Sequence, residues 1–219
     1  MLARRCLLGC QLRARSCGRA ASTFAALGVD ARLCAALAAS GISVPTQIQA
    51  EAAPLLLLRK NTLVAAETGS GKTVAYLAPL LHNMLVEVHK EGGAGQCNSQ
   101  PNGPRLLVLT PNRTLCDQVE TVARALMQGL PLTCSAGSSE RSAPNHNGTG
   151  RTSTRRTAPD VLVSTPRALL PPGLTPPLHQ LSCVVMDEGD LLLRDGYVKD
   201  VAQLLEAARV RLHSLSASV

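Results

Sequence analysis

The chain has 219 residues, room for one ordinary domain and a tail, and 45% of it is hydrophobic, which excludes a disordered or fibrous protein and allows a sizeable buried core. The formal charge of +7 points toward a polyanion, yet Arg4, Arg5, Arg13, Arg15 and Arg19 all precede the first acid, Asp30, and setting those five of the 22 basic residues aside leaves 17 against 15 acidic. The body is nearly balanced, so any contact with nucleic acid would rest on individual arginines placed by the fold and not on a general positive field.

Residues 1–22 read MLARRCLLGCQLRARSCGRAAS. Arginines among leucines, alanines and small residues, with no acid, make a transit-peptide composition; a flexible basic arm that touches nucleic acid is the other reading. The apolar stretches are too short and too often broken by arginine for a secretory core or a membrane span, so no membrane association is expected. From 24 to 58 apolar residues recur at helical spacing, with one break at 41–45 where glycine and proline interrupt the period; two short helices are predicted.

Short apolar runs at 62–65, 106–109, 161–163 and 183–186 read as buried strands of a parallel sheet. Helical stretches at 72–88, 113–127 and 198–209 lie between or after them, so the order is βαβα and the class α/β. Residues 91–104, rich in Gly, Asn, Gln and Pro, and 137–159, rich in Ser, Thr, Asn, Gly and Arg, are expected to be loops, because neither can bury enough apolar surface to order itself. The eight cysteines, at 6, 10, 17, 34, 97, 116, 134 and 183, form no CxxC pair and show no zinc spacing, which predicts reduced, mostly buried thiols.

After the first of these strands comes Ala66-Glu67-Thr68-Gly69-Ser70-Gly71-Lys72-Thr73. A strand running through a glycine-rich turn into a helix aims several backbone N–H groups and the positive end of the helix dipole at one point, where phosphates bind. Gly69 and Gly71 let the backbone curl, Lys72 would reach the β and γ phosphates, and the Thr73 hydroxyl would help to hold Mg²⁺. Ala66 stands where the usual pattern begins with glycine. A partner acid should come from another strand end, and Asp187-Glu188-Gly189-Asp190 follows the run 183–186. Asp187 sits where a magnesium-organising carboxylate belongs, and Glu188 could orient the attacking water.

The tetrad 187–190 behind an apolar strand, together with the loop 66–73, resembles the DEAD-box ATP-dependent RNA helicases of superfamily two over about residues 24 to 219. The resemblance implies a RecA-like parallel sheet flanked by helices, ATP and Mg²⁺ on the loop, and RNA as a partner held by its backbone. In that family an upstream aromatic stacks on adenine and a glutamine in a P-T-x-I-Q string reads its edge. The matching residues are Phe24, the one phenylalanine in the chain, and Gln49 of Pro45-Thr46-Gln47-Ile48-Gln49. An amide bonding adenine N6 and N7 together implies selectivity for ATP over GTP.

The family's RNA strings correspond to Pro111-Asn112-Arg113-Thr114-Leu115 and Thr165-Pro166-Arg167-Ala168. Pro111, Arg113, Thr165 and Pro166 match, whereas Thr114 replaces a glutamate and Arg167 a glycine; Gly137 corresponds to a further glycine contact with RNA. Gly189 stands where alanine is usual, at a cost of up to about 1 kcal/mol of local backbone order, and a looser 187–190 segment is expected. Ser216-Ala217-Ser218 resembles the motif that, with Asp190, couples hydrolysis to strand separation. The doubled alanine in VAAETGSGKT and the arginine-rich leader resemble a mitochondrial branch of the family associated with large-subunit ribosome assembly. That implies ribosomal RNA and a matrix location, with the nucleus as the alternative.

The family builds its cleft from two such lobes. No HRxGRxxR-like string occurs in the sequence, so the expectation is a leader over 1–22, an ATP-binding domain over 23–219, and no second lobe. The arginines such a lobe supplies are worth roughly 10³ to 10⁵ in rate in related phosphoryl-transfer systems. Three readings stay open: an incomplete form of an active helicase, a non-catalytic module that binds ATP or RNA, and a P-loop ATPase that never touches RNA, the last disfavoured by Gln49 and Arg113.

Overall fold

The computed structural model describes residues 10–11, 23–91, 103–136, 158–170, 177–194, 196–208 and 215–218, with backbone alone for 10–11, 89–91, 179 and 215–218. Its strands are β1 (Cys10–Gln11), β2 (Thr62–Val64), β3 (Leu106–Leu109), β4 (Cys134–Ala136), β5 (Val161–Ser164), β6 (Cys183–Met186) and β7 (Leu215–Ser218). The helices are α1 (Ala31–Ala39), α2 (Gln47–Leu57), α3 (Lys72–Glu91), α4 (Arg113–Leu126), α5 (Pro166–Leu169), α6 (Gly189–Leu192) and α7 (Val198–Ala207). The described strands pair in parallel in the order β1-β2-β7-β6-β3-β5-β4.

The central strands β3, β5 and β6 are buried at every position, as a parallel sheet covered on both faces requires. Because side chains alternate along a strand, each strand feeds two cores. Leu106, Val108, Val161, Val163, Cys183 and Val185 join Leu33, Leu37, Leu56, Leu77, Leu81 and Val119 under α1 to α4. Leu107, Leu109, Leu162, Val184 and Met186 join Leu192, Val201 and Leu204 under α6 and α7.

The helices begin where side chains satisfy their orphan N–H groups. Asp30 accepts from Arg32 N at 2.9 Å at the start of α1, and Asn112 from Leu115 N at 2.9 Å at the start of α4. Thr46 and Gln49 form a capping box on α2. On α4 the buried Cys116, Val119, Ala123 and Leu126 recur every three or four residues, one apolar stripe facing the sheet. No described helix is long and apolar enough to cross a membrane.

Most of the predicted elements lie where the pattern puts them. The 62–65 run ends one residue early, at Val64, the 72–88 helix extends to Glu91, and the 198–209 helix stops at Ala207. Cys134-Ser135-Ala136 offers no apolar run, yet it forms β4 because β5 presents an unpaired edge to it. Within the predicted leader, Cys10–Gln11 pairs with Thr62–Leu63; the rest of 1–22, and most of the predicted loops 91–104 and 137–159, lie outside the described residues. Among the described residues, cysteines 34, 116, 134 and 183 form no disulfide, and burial pushes the Cys134 thiol up to about 12.

One ion pair knits the amino ends of three strands. Arg105 donates to Asp160 Oδ1 at 2.7 Å, while Asp160 Oδ2 accepts from Thr133 N and Thr133 Oγ1 at 2.9 and 3.0 Å. These residues precede β3, β5 and β4, which leaves the carboxyl ends of β2, β3, β5 and β6 to carry the chemistry-bearing loops. Ligands of open parallel sheets bind at that edge.

Candidate nucleotide site and nucleic-acid edge

The loop 65–71 joins β2 to α3. Gly69 and Gly71 hold φ of +84° and +89°, a left-handed backbone that glycine adopts without a Cβ clash. Lys72 Nζ donates to Ala66 O at 2.7 Å and Ser70 N to Glu67 O at 3.2 Å, so the lysine closes the loop on itself. Ser70 Oγ is buried with no hydrogen-bond partner among the described residues. A glycine-rich turn of this kind, opening a helix, presents backbone N–H groups that suit a phosphate.

Helix α2 braces this loop from outside. Thr46 Oγ1 donates to Ser70 O at 3.0 Å, and Gln49 Nε2 donates to Gly71 O at 3.2 Å while Gln49 Oε1 accepts from Thr46 N at 2.9 Å. A Cβ on Gly71 would collide with Gln49 Nε2. Gln49 is 2% exposed. Its amide can donate one more hydrogen and accept one more than these bonds use, the complement of an adenine edge. Phe24 is 4% exposed and belongs to the core cluster with Val29, Leu33 and Leu37, so its ring serves in this conformation as a core anchor.

At the end of β6, Asp187 is 7% exposed. Its Oδ2 accepts from the Tyr76 hydroxyl at 2.9 Å and its Oδ1 from Glu188 N at 3.1 Å. Burial above all, then the Asp187 charge and the hydrogen bond to it, hold the Tyr76 phenol well above its usual pKa, with Thr73 pulling the other way; the phenol therefore stays a donor. Glu188 is non-glycine at φ +53°, ψ 51°, a conformation costing roughly 1–2 kcal/mol, such as is held at sites where strain serves function. Gly189 is buried and opens α6. Asp190 lies 3.7 Å from Arg194, while its Oδ1 is buried without a partner among the described residues.

Strand β7, which carries Ser216 and Ser218, lies between the other two strands of the site: Thr62 pairs with Ser216 and Val64 with Ser218, and on the other side Val185 pairs with Ser216 and Met186 with Ala217. The backbone that would couple hydrolysis to RNA thus touches both the phosphate-loop strand and the acidic-tetrad strand. Thr73 and Asp187 offer hard oxygen donors, which suits a magnesium ion completed by phosphate oxygens and water.

The RNA strings occupy the neighbouring strand ends. Pro111 is buried after β3, Arg113 is exposed as the first residue of α4, Thr165 caps α5 and Pro166 is its buried first residue. Tyr197 and Asp200, which sequence reading did not single out as site residues, join them. The Tyr197 hydroxyl donates to Pro111 O at 3.0 Å, and Arg167 stacks over the Tyr197 ring at 5.9 Å and pairs with Asp200 at 3.3 Å. Arg167 is thus tied to α7 in the place of the family's glycine. Gly137 lies outside the described residues.

A family model described as "DEAD/DEAH box helicase" matches residues 46–219. The chain belongs to the DEAD-box helicase family. Among curated proteins it is similar to "Probable ATP-dependent RNA helicase DDX28" of Homo sapiens, 39% identical over 197 residues that are 86% of this chain and 34% of that one. It is also similar to "DEAD-box ATP-dependent RNA helicase 16" of Arabidopsis thaliana, 35% identical over 192 residues, 81% of this chain and 28% of that one. The chain thus spans about a third of the length of these relatives. Among solved structures, the RNA helicase Prp28 from Chaetomium thermophilum bound to ADP superposes with a TM-score of 0.71 at 26% identity, covering 94% of this chain and 47% of that one. A DEAD box protein from Methanococcus jannaschii gives 0.66 at 26% identity, covering 90% of this chain and 49% of that one. The α/β architecture is accordingly that of a RecA-like helicase lobe.

Proposed function

We propose that this DEAD-box chain binds ATP on the loop 66–73 and RNA along the ends of β3 and β5, as the first lobe of an ATP-dependent RNA helicase. The observation that supports the reading most is β7 paired between β2 and β6, which puts Ser216 and Ser218 on a strand that both halves of the ATP site can move. In this reading Gln49 selects adenine while bracing the loop, and the turn Glu67, Thr68, Gly69, Ser70 and Gly71 presents N–H groups to the phosphates. Lys72 leaves Ala66 O for the β and γ phosphates. Thr73 and Asp187 would hold magnesium, whose charge would offset that of the phosphates. Glu188 orients water toward the γ-phosphate.

Arg113 would pair with an RNA phosphate, Pro111, Thr165 and Pro166 would shape the backbone track beside it, and Gly137 would add a further contact. Such contacts fix position without reading sequence. Asp190 and the β7 serines would relay the state of the ATP site to that track. The arginine-rich leader and VAAETGSGKT support a mitochondrial role on ribosomal RNA, with residues 1–22 as the transit peptide and 23–219 as the ATP-binding domain.

Lys72→Ala tests the core of the reading. Loss of labelled-ATP binding, with RNA binding in the absence of nucleotide retained, is expected; undiminished ATP affinity would refute the site. ATP binding by the parent chain without RNA-stimulated hydrolysis would favour the binding-module reading.

A further inference from the structure

Tyr76 sits one turn beyond Thr73 on α3, is 2% exposed, and spends its hydroxyl on Asp187 Oδ2 at 2.9 Å. A phenylalanine would fill the same space without adding a polar atom that must be satisfied, so what tyrosine adds here is its hydroxyl, which donates to Asp187 and also meets the Thr73 side chain. A phenol can only donate to a carboxylate. Asp187 thereby receives one donor from its own turn, Glu188 N, and one from the helix that begins with Lys72 and Thr73. Donors on each of its two oxygens, reaching it from two different elements, fix the plane of the carboxylate.

We propose that Tyr76 is a positioning residue for magnesium: its hydroxyl locks the Asp187 carboxylate to the phosphate-loop helix, so that the Asp187 and Thr73 oxygens meet the ion as one rigid pair. The proposal rests on the ATP-site reading above and adds a residue to it. Partners that orient a metal-binding side chain typically contribute on the order of 10- to 100-fold in metal affinity. The same scale is expected here.

The test compares the full chain with Tyr76→Phe, measuring the affinity of a fluorescent ADP with magnesium and with EDTA, alongside thermal unfolding without nucleotide. The parent chain should bind ADP more tightly with magnesium. In Tyr76→Phe that magnesium enhancement should fall roughly tenfold, while affinity in EDTA stays near the parent's. An equal loss with and without magnesium would mark the tyrosine as merely structural and overturn the proposal, as would an unchanged enhancement. A parent chain that does not bind ADP at all would instead overturn the ATP-site reading, and this inference with it.

A second readout leaves the fold intact. The chain contains only Tyr76 and Tyr197, so 3-fluorotyrosine labelling gives two ¹⁹F signals, assigned with Tyr197→Phe. Adding magnesium to the ADP-saturated chain should shift the Tyr76 signal; a signal that does not move would overturn the proposal whatever becomes of the phenylalanine variant.

Discussion

Gly71→Ala probes the brace between α2 and the phosphate loop, and its cost can be built from the structure. At φ +89° an alanine carries roughly 1–2 kcal/mol of backbone strain. Its Cβ would also collide with Gln49 Nε2 and displace the 3.2 Å bond to Gly71 O. That loss adds about 1 kcal/mol for the bond and about 1 kcal/mol for leaving a buried amide hydrogen unsatisfied. The total is about 3–4 kcal/mol, which lowers Tm by roughly 6–16 °C in a domain of this size. Gly69→Ala is the matched control: φ is +84°, but nothing lies within 4 Å of its Cβ, so strain alone remains, roughly 1–2 kcal/mol or roughly 2–8 °C. In a Gln49→Ala background the two alanines should converge, a coupling of about 2 kcal/mol. Equal costs for the two glycine variants in the parent chain, or additivity with Gln49→Ala, would refute the brace.

Asp160→Asn breaks the Arg105 pair while both side chains remain largely buried, and should cost about 3 kcal/mol, read as a fall in denaturant midpoint at unchanged slope. Asp30 is held down to about 2 by the hydrogen bond from Arg32; because the folded pKa is depressed, its stabilisation is present above the ordinary value of 3.8 and is lost as pH falls from there through about 2. Arg32→Ala should raise that titration by NMR yet change stability little at neutral pH, because water screens the pair. Tyr197→Phe removes the bond to Pro111 O and should weaken RNA binding by roughly fivefold with ADP affinity unchanged; equal losses for both ligands would place the tyrosine outside the RNA edge.

The parts of the site that could be read from sequence are those whose chemistry is local in the chain. A strand, a glycine turn and a helix start lie within 62–73, and an apolar strand followed by acids lies within 183–190, so period and residue type sufficed. Strand β4 escaped because Cys134-Ser135-Ala136 shows neither an apolar run nor alternation. Tyr76 was legible only as an aromatic, although its position three residues after Thr73 put a polar atom on the helix face beside the loop. The burial of Phe24 could not be read at all, since an adenine platform and a core anchor present the same side chain.

By itself the sequence determined the α/β class, the two loops that end β2 and β6, and the family to which they belong, because each follows from short-range periodicity and residue chemistry. Only the tertiary structure decided strand order, which placed β7 between β2 and β6, and with it the bonds that join Gln49 to Gly71, Tyr76 to Asp187 and Tyr197 to Pro111. The last two pairs lie 111 and 86 residues apart. Such contacts are fixed by how the helices pack on a particular order of strands, and no local pattern carries that order.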